Sequence, residues 1–221
     1  MTPVLEARSL YRFFHAGDDE TLALQGVSLE IEAGEVIAVT GPSGSGKSTL
    51  LACLAGLDEP DGGQVRVGGE RITRRPEEDR ARMRAERIGV LYQQANLVGH
   101  LSIEDNVALA QRLGTDIDGQ ANRDDLLGRC GIAHRAGARP AQLSGGELAR
   151  AVLAVALAND PVVLLADEPT GELDSLTAAK VTDLLREQAA GGTAILIATH
   201  SRELSAAADR GVALRDGRVE A

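Results

Sequence analysis

The chain has 221 residues, 43% of them hydrophobic and 25% charged, which is typical of one soluble globular domain with a sizeable core. Its formal net charge of −10 disfavours a nucleic-acid-binding protein, because such proteins usually carry a basic face. The sequence contains no run of about 18 apolar residues, and residues 1–10 lack the apolar core of a signal peptide. We therefore expect no insertion into a membrane and a cytosolic location.

Aromatic residues are concentrated near the start of the chain. Three of its four Phe and Tyr residues are Tyr11, Phe13 and Phe14. They either pack in the core or form a flat platform for an adenine ring, and the residues alone leave both interpretations open. The strictly alternating polarity of residues 27–32 then predicts a half-exposed strand.

Residues 41–49, GPSGSGKST, match the phosphate-binding motif G-x-x-x-x-G-K-[ST]. An apolar run at 36–39 precedes them and a helical pattern at 50–55 follows, which is the strand–loop–helix context that the motif needs. Glycines allow the tight turn that directs backbone N–H groups at phosphate oxygens, and the helix adds its positive dipole end. Lys47 would contribute a compact positive charge, and the Ser48 hydroxyl suits a Mg²⁺ ligand.

A chance Gly-rich turn before a helix is the alternative interpretation of this motif. The use of lysine argues against it, because the chain has 23 Lys plus Arg residues but only two lysines, Lys47 and Lys180. A sequence that uses arginine for nearly all its positive charge has lysine at the position where the motif requires it. We therefore predict nucleotide binding.

The middle of the chain changes from strand patterns to helical ones. Residues 58–72 predict a short antiparallel strand pair, residues 76–88 a helix, and residues 88–92 an apolar strand that ends at Gln93. Residues 94–142 show no strand pattern, so we predict an inserted helical region with helices at 104–113 and 121–130. Neither cysteine, Cys53 or Cys130, has metal-ligand spacing, and we expect no chemistry from them.

The segment LSGGE at residues 143–147 opens the next helix. Ser144 and Glu147 have the spacing of a capping box. The segment is either a well-capped helix start or a second anion site, in which Gly145, Gly146 and the helix N-terminus face a phosphate. The residues alone do not decide between the two.

Two further apolar runs predict buried parallel strands that end in polar residues. Residues 162–166 deliver Asp167 and Glu168, and residues 194–198 deliver Thr199 and His200. In a phosphate-loop protein Asp167 would bind Mg²⁺, whereas Glu168 points elsewhere and could contact an attacking water. His200 lies where ligand sites of α/β proteins gather. The remaining patterns predict a helix at 175–189 and a hairpin at 212–219 with an Asp-Gly turn.

The order of these motifs resembles that of the nucleotide-binding subunits of ABC transporters over nearly the whole chain. The resemblance implies an α/β fold with a P-loop NTPase core and a mostly parallel sheet, an antiparallel β subdomain and an inserted helical subdomain. It implies a single domain over 1–221, with the core at 1–93 and 151–221 and the helical insertion at 94–150. It also implies a head-to-tail homodimer in which LSGGE of one subunit closes over ATP held by the other.

Carried over to matching positions, the resemblance gives a role to each site residue. Phe14 would stack on adenine where the family usually has Tyr, and Gln93 would reach Mg²⁺ and couple to the membrane subunit. Glu168 would be the catalytic base and His200 the switch histidine, while Asp174 belongs to a loop that crosses the dimer. The expected catalytic residues are Lys47, Glu168 and His200; the nucleotide-binding residues are Phe14, Gly41, Ser43, Gly44, Ser45, Gly46, Lys47, Ser48, Thr49, Gln93, Ser144, Gly145, Gly146 and Asp174; and the Mg²⁺ ligands are Ser48, Gln93 and Asp167.

Within the family, residues 88–97 and 170–175 look most like the lipoprotein-releasing and macrolide-exporting group. Ala95, Val155 and Glu172 depart from the usual aromatic, Arg and Asn, respectively. Because the macrolide exporters fuse a permease to this domain and this chain ends at Ala221, we expect a separate transmembrane permease and a peripheral position on the inner face of the cell membrane. The leading hypothesis is an ATPase subunit of an exporter. The alternatives are a regulator of a membrane partner in cell division and a soluble ABC protein of DNA repair or translation.

Overall fold

The computed structural model describes residues 3–16, 19–92, 96–114, 120–171 and 173–220. They form two sheets with helices packed against them. The strands are β1 (Leu5–Ala16), β2 (Asp19–Ile31), β3 (Val36–Thr40), β4 (Gly62–Val67), β5 (Glu70–Arg71), β6 (Ile88–Leu91), β7 (Val163–Asp167), β8 (Ala194–Ala198), β9 (Arg210–Arg215) and β10 (Arg218–Val219). The helices are α1 (Lys47–Leu54), α2 (Glu77–Arg87), α3 (Ile103–Leu113), α4 (Gln120–Arg129), α5 (Gly145–Ala156), α6 (Ser175–Ala190) and α7 (Arg202–Ala206).

The larger sheet has the strand order β10-β9-β3-β8-β7-β6, in which β10 is antiparallel to its neighbour and the other five strands are parallel. Strands β3, β7 and β8 are buried nearly throughout, which is why they consist of continuous apolar runs. Val39 pairs with Ala198, and Ala198 pairs with Asp167. The carboxyl ends of these three strands therefore lie side by side, and the residues that follow them meet at one edge of the sheet.

The smaller sheet has the order β2-β1-β4-β5 and is entirely antiparallel, as predicted for residues 58–72. Strand β2 begins at Asp19, earlier than the predicted start at residue 27. The pairing of β2 with β1 shifts register three times. At one of these shifts Arg12 pairs with Leu24 and Phe13 pairs with Leu22, so Ala23 is an extra, bulged residue of β2. The bulges interrupt the alternation of polarity, so the sequence pattern does not show this half of the strand.

Two apolar clusters hold the elements together. One lies between the smaller sheet, α1 and one face of the larger sheet, and includes Leu10, Leu50 and Leu196. The other packs α3, α4, α5 and α6 against the opposite face and includes Val107, Leu153 and Ile195. Because one cluster packs against each face of the larger sheet, the carboxyl ends of β3, β7 and β8 are held in place from both sides.

The described part of residues 96–162 contains helices and turns and no strand, in agreement with the predicted helical region. The predicted domain boundary at residue 150 falls within α5. A Cβ on Gly89 of β6 would lie 2.4 Å from Ala156 O, so the last turn of α5 packs directly on the larger sheet. Among the described residues, the longest helix, α6, has 16 residues, and none has the length and apolar character needed to cross a bilayer.

Candidate functional site

The phosphate loop, residues 41–48, joins β3 to α1 in a conformation that requires glycine. Gly41, Gly44 and Gly46 have φ angles of +151°, +79° and +102°. A Cβ on Gly41 would lie 2.0 Å from Leu214 O, and one on Gly46 would lie 2.4 Å from Ala23 O. At Gly44 a Cβ would meet nothing within 4 Å, so the loop is closely packed behind and open in front.

Lys47 is the first residue of α1, and its side chain folds back into the loop with only 7% of the residue exposed. Its Nζ donates hydrogen bonds to Gly41 O at 2.8 Å and to Pro42 O at 3.2 Å. Gly46, which caps α1, has no side chain that could accept from the first N–H groups of the helix. The loop thus combines a buried ammonium group with the positive end of a helix, which favours an anion.

A hairpin turn from the far end of the chain supports the phosphate loop. Gly217 N donates to Ser45 O at 3.0 Å, while Gly217 O accepts from Gln25 N at 2.7 Å. The Gln25 side chain also donates to Asp216 O at 2.7 Å. Asp216 and Gly217 have φ angles of +46° and +73°, in keeping with the predicted Asp-Gly turn. The turn therefore connects β2 to the loop.

Glu168 follows β7 with a φ of +48°, a strained value for a residue with a side chain, while its N–H donates to Ala198 O at 2.9 Å. Its Oε2 accepts a hydrogen bond from Thr199 Oγ1 at 3.1 Å, and Thr199 is fully buried. Its other oxygen, Oε1, is buried and has no hydrogen-bond partner among the described residues. The carboxylate is thus held at one oxygen and free to accept at the other.

His200 lies between the lysine and the glutamate. Its Nε2 is 3.2 Å from Lys47 Nζ and 3.7 Å from Glu168 Oε1. Because an ammonium group can only donate, a hydrogen bond between these two nitrogens has Lys47 Nζ as its donor. The three predicted catalytic residues therefore meet within a few ångströms at the end of the parallel strands.

The aromatic residues of β1 divide into different environments. Phe14 is 42% exposed and lines the same cavity as the phosphate loop, so core packing is the wrong interpretation for this residue. Tyr11 is 41% exposed but covers Gly26 and Gly62 outside the cavity. The centre of the Arg12 guanidinium lies 4.7 Å from the centroid of the Phe14 ring. Phe14 is therefore the aromatic placed for a ligand.

Ser144 and Glu147 form the predicted capping box at the start of α5. Ser144 Oγ accepts from Glu147 N at 3.4 Å, and Glu147 Oε2 accepts from Ser144 N at 2.9 Å. The backbone N–H of Ser144, followed by its hydroxyl, holds the pKa of Glu147 below its ordinary value. Arg135 contributes as well, with its Nε 3.3 Å from Glu147 Oε1. The capped helix start is thus confirmed, and the second interpretation, an anion site, is compatible with it because Ser144 stays exposed.

Helix α5 approaches α6 at Gly146, and Asp174 caps α6. A Cβ on Gly146 would lie 2.4 Å from Thr177 Cγ2, so the two helices approach closely here. Asp174 caps α6, accepting from Thr177 Oγ1 at 2.7 Å and from Thr177 N at 3.0 Å. The Thr177 hydroxyl, then its N–H, lowers the pKa of Asp174. Its carboxylate is thus ionised and committed to its own helix.

A cavity of about 1570 Å³ contains most of the predicted site. Gly41 and Ser45 shape the phosphate loop without lining this cavity, and Ser144, Gly146 and Asp174 are not part of its lining. Gln93, like Ala95 and Glu172, lies outside the described residues. The predicted site residues that line the cavity are Phe14, Ser43, Gly44, Gly46, Lys47, Ser48, Thr49, Gly145, Asp167, Glu168 and His200.

The family profile described as ABC transporter matches residues 24–171, more than half of the chain. The chain belongs to the ABC transporter family. It is an ABC-type ATPase with a nucleotide-binding P-loop fold, which confirms the resemblance seen in its motifs.

Relatives within the ABC transporter family include a macrolide export ATP-binding/permease protein of Burkholderia thailandensis, which is 43% identical over 222 residues. That alignment covers 98% of this chain but 34% of the relative, so the chain spans about a third of the macrolide export proteins that it matches. A lipoprotein-releasing system ATP-binding protein of Paramagnetospirillum magneticum is 44% identical over 216 residues, and the alignment covers 96% of both chains.

Solved ABC cassettes share the fold. A dimeric cassette in a post-hydrolysis state, bound to ADP and Pi, matches with a TM-score of 0.91 at 32% identity and covers 98% of this chain and 97% of that chain. An ATP-binding subunit of another ABC transporter has a TM-score of 0.85 at 27% identity, covering 99% and 88% of the two chains. The predicted ABC ATPase fold, with a mostly parallel sheet and an antiparallel sheet, is therefore confirmed.

The donor groups of this ABC ATPase suit Mg²⁺. The Ser48 hydroxyl and the Asp167 carboxylate line one cavity and are the hard oxygen ligands that Mg²⁺ prefers. Within the described ranges no group of three His, Cys, Asp or Glu residues could hold a metal ion by itself. Mg²⁺ typically binds through one or two protein groups together with substrate phosphates, so two protein ligands fit this ion.

The ABC motifs do not indicate Arg12 or Gln25, and they give no role to Thr199 or Asp216. Thr199 precedes His200 at a strand end, so its position was a signal that could have identified it. Asp216 was recognised as a turn residue but not as a neighbour of the phosphate loop. For Arg12 the sequence offers no signal, because its partners lie more than 40 positions away.

Proposed function

We propose that this chain is the ATP-hydrolysing subunit of an ABC exporter, working as a head-to-tail homodimer on a separate transmembrane permease. The observation that carries the proposal is the meeting of Lys47, Glu168 and His200 in one cavity with the phosphate loop and Phe14. This arrangement supplies a counter-charge, a carboxylate base and a platform for a base. These are the parts that hydrolysis of a nucleoside triphosphate needs.

In the proposed reaction, Lys47 exchanges its hydrogen bonds with the Gly41 and Pro42 carbonyls for contacts with the outer phosphates. Glu168 orients the attacking water and accepts its proton at Oε1, while Thr199 holds Oε2. The water oxygen bonds to the γ-phosphorus as the bond from that phosphorus to the bridging oxygen breaks, which leaves ADP and phosphate. His200 lies close enough to Lys47 to contact the same phosphate. Mg²⁺, held by Ser48, Asp167 and Gln93, would neutralise charge that develops on the phosphates.

The second half of each site comes from the partner subunit in this proposal. Ser144, Gly145 and Gly146 lie at the exposed N-terminus of α5, which is suited to a phosphate. Asp174 lies in the adjoining loop, where its bonds to Thr177 fix the start of α6. A similar cassette solved as a dimer supports the homodimer.

The relatives support a permease partner and export. One is the ATP-binding protein of a lipoprotein-releasing system, matched over 96% of its length, and another is a combined ATP-binding/permease protein for macrolide export. Working on a separate permease, as an ATP-binding protein of a lipoprotein-releasing system would, this chain would act peripherally on the inner face of the cell membrane. We propose that the core, residues 1–93 and 151–221, binds ATP. The helical insertion, residues 94–150, is proposed to contact the permease.

Purification from native membranes tests the proposal. Affinity-tagged Glu168→Gln chain, cross-linked in the presence of Mg²⁺ and ATP, should retain a multispanning membrane protein, and tagged Lys47→Ala chain should retain less of the ATP-dependent complex. Inside-out vesicles that contain the complex should then move substrate only with hydrolysable ATP. A partner that instead controls a cell-wall hydrolase, with no ATP-dependent movement in vesicles, would replace export by regulation.

A further inference from the structure

We propose that Arg12 is a positioning residue for the nucleotide base, holding the Phe14 ring so that its free face meets the base. The inference rests on the proposed ATP site. Arg12 and Phe14 lie two positions apart on β1, and the extra residue of the nearby bulge belongs to β2, so both side chains are on one face of β1. The guanidinium lies 4.7 Å from the ring centroid, within the range of a cation–π contact.

The guanidinium is fixed by two carboxylates rather than by the ring alone. Arg12 Nε and Nη2 donate to the two oxygens of Asp58 at 2.7 and 2.8 Å, and Nη1 donates to Asp61 Oδ2 at 3.1 Å. A bidentate pair of this kind sets the plane of the guanidinium as well as its position. The plane that faces Phe14 is therefore determined by residues just after α1.

Asp61 also fixes the backbone beside the ring. Its Oδ2 accepts from Phe13 N at 2.8 Å, and this backbone N–H, followed by Arg12, lowers the pKa of Asp61. The carboxylate is thus ionised and linked to both neighbours of the ring. The backbone next to Phe14 is therefore fixed by Asp61, and Arg12 covers one face of the Phe14 ring. The residue remains 42% exposed and lines the cavity.

Charge balance argues for a role at the ring rather than at a phosphate. Arg12 is paired with two carboxylates, so its charge is compensated, and its Nε, Nη1 and Nη2 each already donate to a carboxylate oxygen. Its free feature is the flat face over Phe14. A guanidinium stacked on one side of an aromatic ring leaves the other side to a purine, giving a three-layer stack in which the middle ring cannot rotate away.

Tryptophan fluorescence can report this stack, because the chain has no Trp. Phe14→Trp places a single tryptophan on the platform, and Mg²⁺-ATP should quench it. In the Phe14→Trp background, Arg12→Gln should lower the anisotropy of the ligand-free tryptophan and raise the Kd of ATP about three- to tenfold. The Kd of inorganic tripolyphosphate, measured by competition with a fluorescent nucleotide, should change less than twofold. Arg8→Gln, on the same strand but outside the cavity, is the matched control and should change neither.

Arg12→Lys separates positioning from simple attachment of β1 to the loop at residues 58–61. Lysine keeps the ion pair with Asp58 but lacks the planar face of a guanidinium. The Arg12→Lys variant should therefore keep the thermal stability of the parent and still bind ATP more weakly. Full ATP affinity in Arg12→Lys, or equal losses for ATP and tripolyphosphate in Arg12→Gln, would overturn the inference. If the parent chain binds neither ligand, the proposed function itself fails.

Discussion

Thr199 Oγ1 donates a hydrogen bond to Glu168 Oε2 across 3.1 Å, while Glu168 Oε1 is buried without a hydrogen-bond partner. The threonine is fully buried and its oxygen also accepts from Ser201 N at 3.0 Å, so the hydroxyl proton points at the carboxylate. One oxygen is thereby fixed and the other is left to accept a proton. This asymmetry is what a general base requires.

Glu168→Gln should bind Mg²⁺-ATP at least as well as the parent and lose turnover by a factor of about 100 or more. The amide keeps the shape and can still accept from Thr199, but it cannot take the proton of water. In the proposed dimer ATP holds the subunits together, so slow hydrolysis should make the dimer accumulate. Size-exclusion chromatography with Mg²⁺-ATP should show a dimer for the variant where the parent is mainly monomeric.

Asp167→Asn is the matched control for Glu168→Gln. It changes the adjacent carboxylate in the same way, but it should weaken the proposed Mg²⁺ site and should not trap a dimer. Parental turnover in Glu168→Gln would place the base elsewhere, and His200, with its Nε2 3.7 Å from Glu168 Oε1, would be tested next.

Lys47→Ala should abolish ATP binding, because the phosphates lose their buried counter-charge. Lys47→Arg should fail as well, since a planar guanidinium does not fit the narrow space between the Gly41 and Pro42 carbonyls and His200. Isothermal titration calorimetry measures both. Lys180, the other lysine of the chain, is exposed on α6, and Lys180→Ala should bind ATP normally. Near-normal affinity in both Lys47 variants would refute the phosphate-loop assignment.

Ser144→Arg should leave ATP binding by the monomer intact and remove turnover, because the proposal assigns this helix end to the partner's phosphate. The lost cap alone costs about 1 kcal/mol of stability, too little to unfold the chain. Ser102 caps α3 in the same way, accepting from Asp105 N at 3.0 Å, so Ser102→Arg is the control and should keep turnover. Loss of ATP binding by monomeric Ser144→Arg would contradict the in-trans role.

Both cysteines should be unreactive in the folded protein. Burial raises the pKa of Cys53 to about 12 and that of Cys130 to about 11. An unfolded cysteine thiol has a pKa of about 8.5, so above that pH the two thiols lose their protons in the unfolded chain but keep them in the folded one. The free energy of unfolding should therefore decrease as the pH rises above that value. A thiol reagent at pH 8 should label neither cysteine until denaturant is added. Rapid labelling of the native chain would show that one of the apolar clusters opens readily.

The strands that carry the site were predictable because burial on both faces demands continuous apolar runs, as at residues 36–39 and 194–198. The early half of β2 was not, since its bulges break the alternation that a strand normally shows. The capping box of Ser144 and Glu147 is a local pattern and was visible. The pairing of Arg12 with Asp58 joins residues 46 positions apart, which local patterns cannot show.

The docking of the β9–β10 turn on the phosphate loop also bears on how the protein is made. The Gln25 side chain of β2 donates to Asp216 O of that turn, and the two residues are 191 positions apart in the chain. At a synthesis rate of about 5–20 residues per second, roughly 10–40 s pass on the ribosome between them. During this time β3 lacks β9 beside it, and Ser45 O lacks its partner Gly217 N. A nascent or stalled chain therefore displays the motif GPSGSGKST without the hydrogen bond from Gly217 that supports it in the folded protein.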